Sequence, residues 1–413
     1  MKRQRFGAAV ALLLIASTAS QAVACPFCSA VSQTFTEEIE SMDAVVIATL
    51  VGKPKLVAKP KKKKLAKTAV TTPQKKPGLP KRRLDPKREI PKVTFVITQV
   101  IKGKALLKGS KTIETIYFGT SKPGKSFLIM GVDPPNLQWS TPLPLTSRSL
   151  KYLNKIVKLP KKGPARLNFF QKHLEDKEEL IARDAYDEFA KAPYADVRAI
   201  KQDMNRPQLV AWIKDRNVPA SRRRLYLTMV GICGSKADVP MLETLLKSKN
   251  VRDRAGLDAL IACYLTLKGS NGLALIDDLY LKNKKADYAD TYAAIMALRF
   301  HGTESDLIPR KRLLKSMHHM LGRPQLADLV IPDLARWEDW SVMDRLVKLY
   351  KNADEKSSWV RVPVINYMRA CPLPKAKTNM KLLKKIDPAA VKRANTFFPF
   401  GAPNRGKGKK SSS

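Results

Sequence analysis

The sequence predicts a multidomain chain, with a small all-β barrel or sandwich followed by an all-α solenoid of stacked helix pairs. Three observations predict it. Short β-branched runs punctuated by Gly and Pro occupy the first third of the chain. Amphipathic helical sequence occupies most of the rest, and its inter-helix turns recur at near-constant spacing. A dense block of positive charge separates the first strand from the next.

The N-terminal 24 residues read as a secretory leader. Lys2, Arg3 and Arg5 form a basic start, Ala8 to Ala16 is a short apolar run, and Ala22-Val23-Ala24 is a small-residue cleavage site. Cleavage there makes Cys25 the first mature residue. The expected product is secreted or periplasmic, with lipid anchoring at Cys25 as an alternative. No later run reads as long enough for a membrane helix, so no transmembrane segment is expected after cleavage. The 413 residues carry a formal net charge of +41. A field of that size favours anionic partners and carries no information about fold.

The expected barrel domain spans residues 25–160. Ser29 to Met42 reads as a short helix, with Phe35 and Ile39 on one face. Ala44 to Val51, "AVVIATLV", reads as a buried strand. Lys53 to Lys92 holds sixteen Lys or Arg against Asp85 and Glu89, with repeated Pro. Such a segment buries too little apolar surface to order itself, so it reads as a disordered insertion between strands. Lys61, Lys62, Lys63, Lys64, Lys81, Arg82 and Arg83 are its candidate polyanion contacts; a solvated loop without a partner is the bland alternative. Strands follow at "VTFVITQVIKG", at Lys111 to Gly119 and at Lys125 to Gly131, then a Pro-rich stretch with Trp139 and a helix around Leu150 to Ile156.

The expected solenoid spans residues 164–393. Its turns fall at Gly234, Gly269, Gly302, about Trp337 and Pro372, at spacings of 33 to 35 residues. A lone helix pair cannot hide both apolar faces, whereas stacked pairs can. The tail, 394–413, is basic and reads as disordered.

The chemistry starts at Cys25-Pro26-Phe27-Cys28. A thioredoxin-type pair sits at a helix start after a strand, and no strand precedes this one once the leader is removed. Haem attachment needs His after the second Cys, where Ser29 stands. A structural zinc site needs a second ligand pair. A thiol-disulfide role, a local structural pair and an interaction site at the mature terminus remain the alternatives. Five cysteines are too few for a disulfide scaffold. Cys233 and Cys371 share one register before a turn and read as small core residues. His318 and His319 are adjacent on a helix and diverge by about 100°, so no metal site is expected. No P-loop, H-E-x-x-H, G-x-S-x-G or dinucleotide fingerprint occurs, and no cofactor is expected. The basic segments lack interleaved aromatics, so a nucleic-acid platform is not suggested.

Residues Cys25 to about Lys158 resemble the netrin-like module of the tissue inhibitors of metalloproteinases. The resemblance runs through Cys25 and Cys28, Asp43-Ala44-Val45-Val46, Val51-Gly52-Lys53, Val100-Ile101-Lys102-Gly103, Phe127-Leu128-Ile129-Met130-Gly131, Trp139 and the short helix. It implies a five-stranded OB-like barrel and, through a mature N-terminal Cys25, metalloprotease inhibition. The family ties its N-terminal cysteines to barrel cysteines, and no cysteine lies between Cys28 and Cys233 here. The helical region resembles HEAT-type repeats, which are binding scaffolds. The expected function is therefore non-enzymatic protein or polyanion interaction at the cell envelope, with the solenoid taking a protein partner.

Overall fold

The structure is a computed structural model that describes residues 26–30, 32–52, 55–57 and 90–396. Cys25 and the Lys61–Lys64 and Lys81–Arg83 clusters lie outside the described residues, as do the expected leader and most of the tail. The described chain forms two compact units, residues 30–188 and residues 26–29 with 189–396.

The first unit is built on seven antiparallel strands: β1 (Ala44–Leu50), β2 (Lys55–Val57), β3 (Ile90–Lys102), β4 (Thr112–Ile116), β5 (Ser126–Val132), β6 (Gln138–Trp139) and β7 (Leu143–Leu145). The order is β2-β3-β1-β5-β6, with β4 also on β3 and β7 also on β5. Thr115 Oγ1 on β4 donates to the Trp139 carbonyl on β6 at 3.4 Å, and the sheet is a nearly closed barrel. Alternation sets its interior: Val46, Ala48 and Leu50 point in with Phe95, Phe127 and Ile129. Phe95 and Tyr117 meet Phe127 edge-on at 5.2 and 5.3 Å. The intervening Val45, Ile47 and Leu128 are buried too, so β1 and β5 are covered on both faces. This explains why "AVVIATLV" is a continuous apolar run rather than an alternating one.

The insertion expected between strands enters the sheet at both ends. Lys55–Val57 pairs with Ile90–Lys92, prolonging the ladder past the point where the sequence places disorder. Val57 pairs with Ile90 in this register. At the other end of β3, Gly103 has φ 76°, and a Cβ there would enter Asp43 O and Ala44. The Lys-Gly ending is therefore a steric requirement.

Four helices complete this unit: α1 (Phe35–Ser41), α2 (Ser147–Ile156), α3 (Pro164–Phe170) and most of α4 (Glu179–Lys191). The helix expected from Ser29 begins only at Phe35. Thr34 caps it: its hydroxyl accepts from Glu37 N–H, and the Glu37 carboxylate accepts from Thr34 N–H. Lys102 Nζ donates to the Ile39 and Glu40 carbonyls, fixing the exposed end of α1 to β3. The sequence starts the helical domain at Pro164, but α3 and most of α4 belong to the barrel unit. The reason is a set of long-range polar ties described below.

The second unit is helical. It comprises α5 (Tyr194–Ala199), α6 (Arg206–Lys214), α7 (Ala220–Cys233), α8 (Val239–Lys247), α9 (Leu257–Lys268), α10 (Leu273–Ile276), α11 (Tyr288–Thr303), α12 (Arg310–Met317), α13 (Ile331–Arg336), α14 (Met343–Lys351), α15 (Arg361–Ala370), α16 (Pro374–Ile386) and α17 (Pro388–Thr396). Alternate helices pack in sequence: α7 on α9, α9 on α11, α13 on α15, and α15 on α17. Gly234, Gly269 and Trp337 are the C-caps of α7, α9 and α13, where the sequence places turns. Gly302 instead lies inside the last turn of α11, where any Cβ would enter the Trp337 ring.

Arginine–aspartate pairs link positions 34 to 36 residues apart. Arg224 pairs with Asp258 at a separation of 34 residues, Arg254 with Asp290 at 36, and Arg299 with Asp333 at 34. Two tyrosines do the same through carbonyls, Tyr280 to Leu246 and Tyr350 to Leu383. Leu257–Leu281 is long and apolar enough by composition to cross a membrane, which the sequence reading did not anticipate. It is a core element of this unit, with Leu260, Ile261, Leu265, Ile276 and Leu281 fully buried.

Candidate functional site

Of the two cysteines that opened the chemical question, the structure describes Cys28. It is disulfide-bonded. Cys233, Cys263 and Cys371 are free thiols, and Cys25 is the chain's remaining cysteine. Phe27, between the pair, is only 8% exposed and belongs to the helical unit. Its ring centre lies 5.1 Å from that of Phe300 on α11. Tyr194 on α5 meets Phe300 from another direction, edge-on at 5.7 Å. The sequence reading weighed the cysteines and passed over the aromatic between them; the signal was a bulky apolar residue in an otherwise small and polar segment.

Phe300 and Tyr194 also line a cleft of about 750 Å³ in the helical unit. Arg198, Lys201, Glu304, Asp306, Thr266 and Ser305 also line it. Burial pushes the Tyr194 phenol up from its ordinary range. The lining thus combines aromatic rings with both signs of charge. Such a lining suits an extended peptide-like chain, which brings apolar side chains, backbone polar groups and charges together.

Burial disfavours the charged forms of the nearby titratable groups. The Cys263 thiol is completely buried and pushed up. Burial also raises Cys233. His301 is buried, its Nε2 lies 3.1 Å from the Ala262 carbonyl, and burial lowers it to about 4, so it stays neutral. Among the described residues no group of three or more His, Cys, Asp or Glu could hold a metal ion. His318 and His319 engage separate carboxylates, Asp339 and Asp277.

The barrel unit holds a second constellation, a buried ionic network that the sequence did not reveal. Asp184 on α4 accepts the Phe35 backbone N–H at 2.7 Å and the Tyr152 hydroxyl at 2.6 Å. One turn on, Glu188 takes two guanidinium bonds from Arg166. Arg166 also reaches Thr36 Oγ1 at 2.6 Å and the Pro160 carbonyl at 3.1 Å. Ser32 donates to Asp187 at 2.8 Å. These bonds join α1, α2, α3 and α4, and they account for the position of Pro164 to Glu188 in this unit.

Burial is the main cause that pushes the Asp184 carboxyl up to about 6, against the two hydrogen bonds that favour its anion. An unfolded aspartate titrates near 3.9. The stability contributed by protonated Asp184 is full below that value and is lost as pH rises through about 6. A two-unit difference corresponds to roughly 3 kcal/mol. Asp184→Asn should therefore gain stability relative to the parent between about pH 4.5 and pH 7. Urea midpoints at the two pH values measure it; a difference that does not change with pH would show that Asp184 titrates normally.

The sequence-predicted polyanion contacts cannot be joined to either constellation, because all seven lie outside the described residues. No protein-family model matches the chain, and no curated protein matches it.

Proposed function

We propose that the chain is a non-enzymatic binding protein of the cell envelope, secreted or periplasmic, in which a netrin-like, OB-type barrel precedes an α-solenoid of HEAT-like helix pairs. The observation that carries the reading is the series of Arg–Asp pairs in the helical unit, at separations of 34, 36 and 34 residues. They lie close to the 33 to 35 residue spacing of the turns in the sequence. A stack whose neighbours are fastened in this way forms an extended, stiff surface, which is what repeat scaffolds use to hold partners. The cleft at Tyr194 and Phe300 takes a protein segment, and the lysine-rich stretch after β1 takes an anionic polymer.

Heparin affinity across a salt series tests the polymer arm. The comparison is between the full mature protein and a variant in which residues 58–89 are replaced by a short Gly-Ser linker, which keeps β2 and β3 intact. Binding through released counterions weakens steeply with salt, by a log–log slope of roughly −0.7 to −0.9 per phosphate neutralised on nucleic acid. The deletion should lower affinity and flatten the slope. Unchanged affinity and slope would remove the insertion from the function.

One observation favours a second reading, metalloprotease inhibition through Cys25. The disulfide at Cys28 and the seating of Phe27 hold the segment next to Cys25 in place, and zinc chelation by a terminal cysteine needs such restraint. Titrating a zinc endoprotease with protein processed to begin at Cys25 tests it; full residual activity at excess protein would exclude it.

A further inference from the structure

We propose that the face formed by α14 and α16 docks on an anionic lipid surface. This goes beyond the polymer and protein binding above and uses a different part of the chain. On α16, Lys375, Lys377, Lys381, Lys384 and Lys385 are all exposed, and the helix contains no acidic residue. At 100° per residue, Lys377, Lys381, Lys384 and Lys385 occupy one outward arc opposite the buried Ala376 and Leu383. α16 packs on α14, whose exposed Lys348 and Lys351 add to the same sign. The single acid on these two helices is Asp344, already paired with Lys375 at 2.7 Å.

Two features favour lipid over a soluble polyanion. Leu382 and Ile386 are 36% and 40% exposed, one turn apart on the flank of the lysine arc. A dissolved anionic polymer offers them nothing, whereas the headgroup–acyl boundary of a bilayer accepts apolar side chains while lysine stems extend to the headgroups. The cations on this arc are also lysines rather than arginines, point charges on flexible stems that suit a diffuse charged plane better than bidentate recognition.

The test uses the full mature protein and cosedimentation with vesicles of phosphatidylglycerol mixed with phosphatidylcholine, and with vesicles of phosphatidylcholine alone. Binding is expected only to the first, and it should weaken with salt. A basic residue near an anionic surface contributes roughly a fivefold factor. The variant Lys377→Glu, Lys381→Glu, Lys384→Glu, Lys385→Glu should therefore lose on the order of a hundredfold or more. All four positions are exposed, and circular dichroism confirms that the variant folds. A second variant, Leu382→Gln with Ile386→Gln, should lose vesicle binding and keep heparin binding. Replacement of residues 58–89 should leave the loss caused by the α16 substitutions unchanged, which separates this proposal from the polymer reading. Absence of vesicle binding by the parent, or its retention in the lysine variant, overturns the proposal. So does a Leu382 and Ile386 variant that binds vesicles normally while the lysine variant loses heparin; that face would then be a soluble-polyanion site.

Discussion

An Arg166→Met variant should lose about 3–5 kcal/mol of stability in the barrel unit, the range found when one partner of a buried ion pair is removed. Arg166 and Glu188 are only 6% and 8% exposed as side chains. The methionine keeps much of the packing over the Phe170 ring, where the guanidinium carbon sits 4.9 Å from the centroid. What it removes is the only cation, among the described residues, bonded to both Glu188 oxygens, together with the ties to Thr36 and Pro160. The buried carboxylate is then uncompensated. If that is the origin of the loss, Arg166→Met with Glu188→Leu should recover most of it, because replacing both charges by apolar groups avoids the orphan. Urea midpoints followed by circular dichroism for the parent, single and double variants decide the matter. A double variant as unstable as the single would mean that the pair acts through geometry and not charge balance.

The same network shows what was legible in the sequence. The strands were legible because their signal is local: "VTFVITQVIK" alternates with period two, and "AVVIATLV" is a short β-branched run. The turns of the helical region were legible because glycine marks them: Gly269 ends α9 at φ 70°, and a Cβ at Gly234, which ends α7, would enter the Val230 carbonyl. The place of α3 and α4 was not legible. It rests on Phe35–Asp184 and Ser32–Asp187, pairs 149 and 155 residues apart. No periodicity encodes a contact of that range, and the amphipathic pattern of α4 looks the same against a barrel as in a repeat. Phe27 and Phe300 pose the same problem at still greater separation. The Arg–Asp pairs were not legible either: each pair spans 34 to 36 residues, but neither the arginines nor the aspartates recur at that interval along the chain.

Arg299→Met should lower the stability of the helical unit by about 3 kcal/mol and divide its unfolding into two transitions. Arg299 Nε donates to Asp333 at 2.7 Å, and its other amine donates to the Leu329 carbonyl at 2.6 Å, so one side chain fastens α11 to α13. Asp333 is 1% exposed, and burial outweighs its two arginines in holding its carboxyl above the usual range. Without Arg299 it keeps Arg336 alone, at 2.8 Å. The size of the loss follows from that half-orphaned carboxylate. The loss of cooperativity follows from connectivity. In a stack where each repeat touches only its neighbours, the ends stay coupled only while every junction is strong. Trp340 and Trp359 lie beyond this junction, Trp337 packs across it on Gly302 of α11, Trp212 lies before it and Trp139 sits in the barrel unit, so tryptophan fluorescence weights the junction and the helices beyond it while circular dichroism reports the whole chain. In the parent the two signals should share a urea midpoint for the helical unit. In the variant the fluorescence midpoint should fall below that of circular dichroism. Coincident midpoints in the variant would mean that the helices form one shared core, and the nearest-neighbour reading, with the solenoid built on it, would fail.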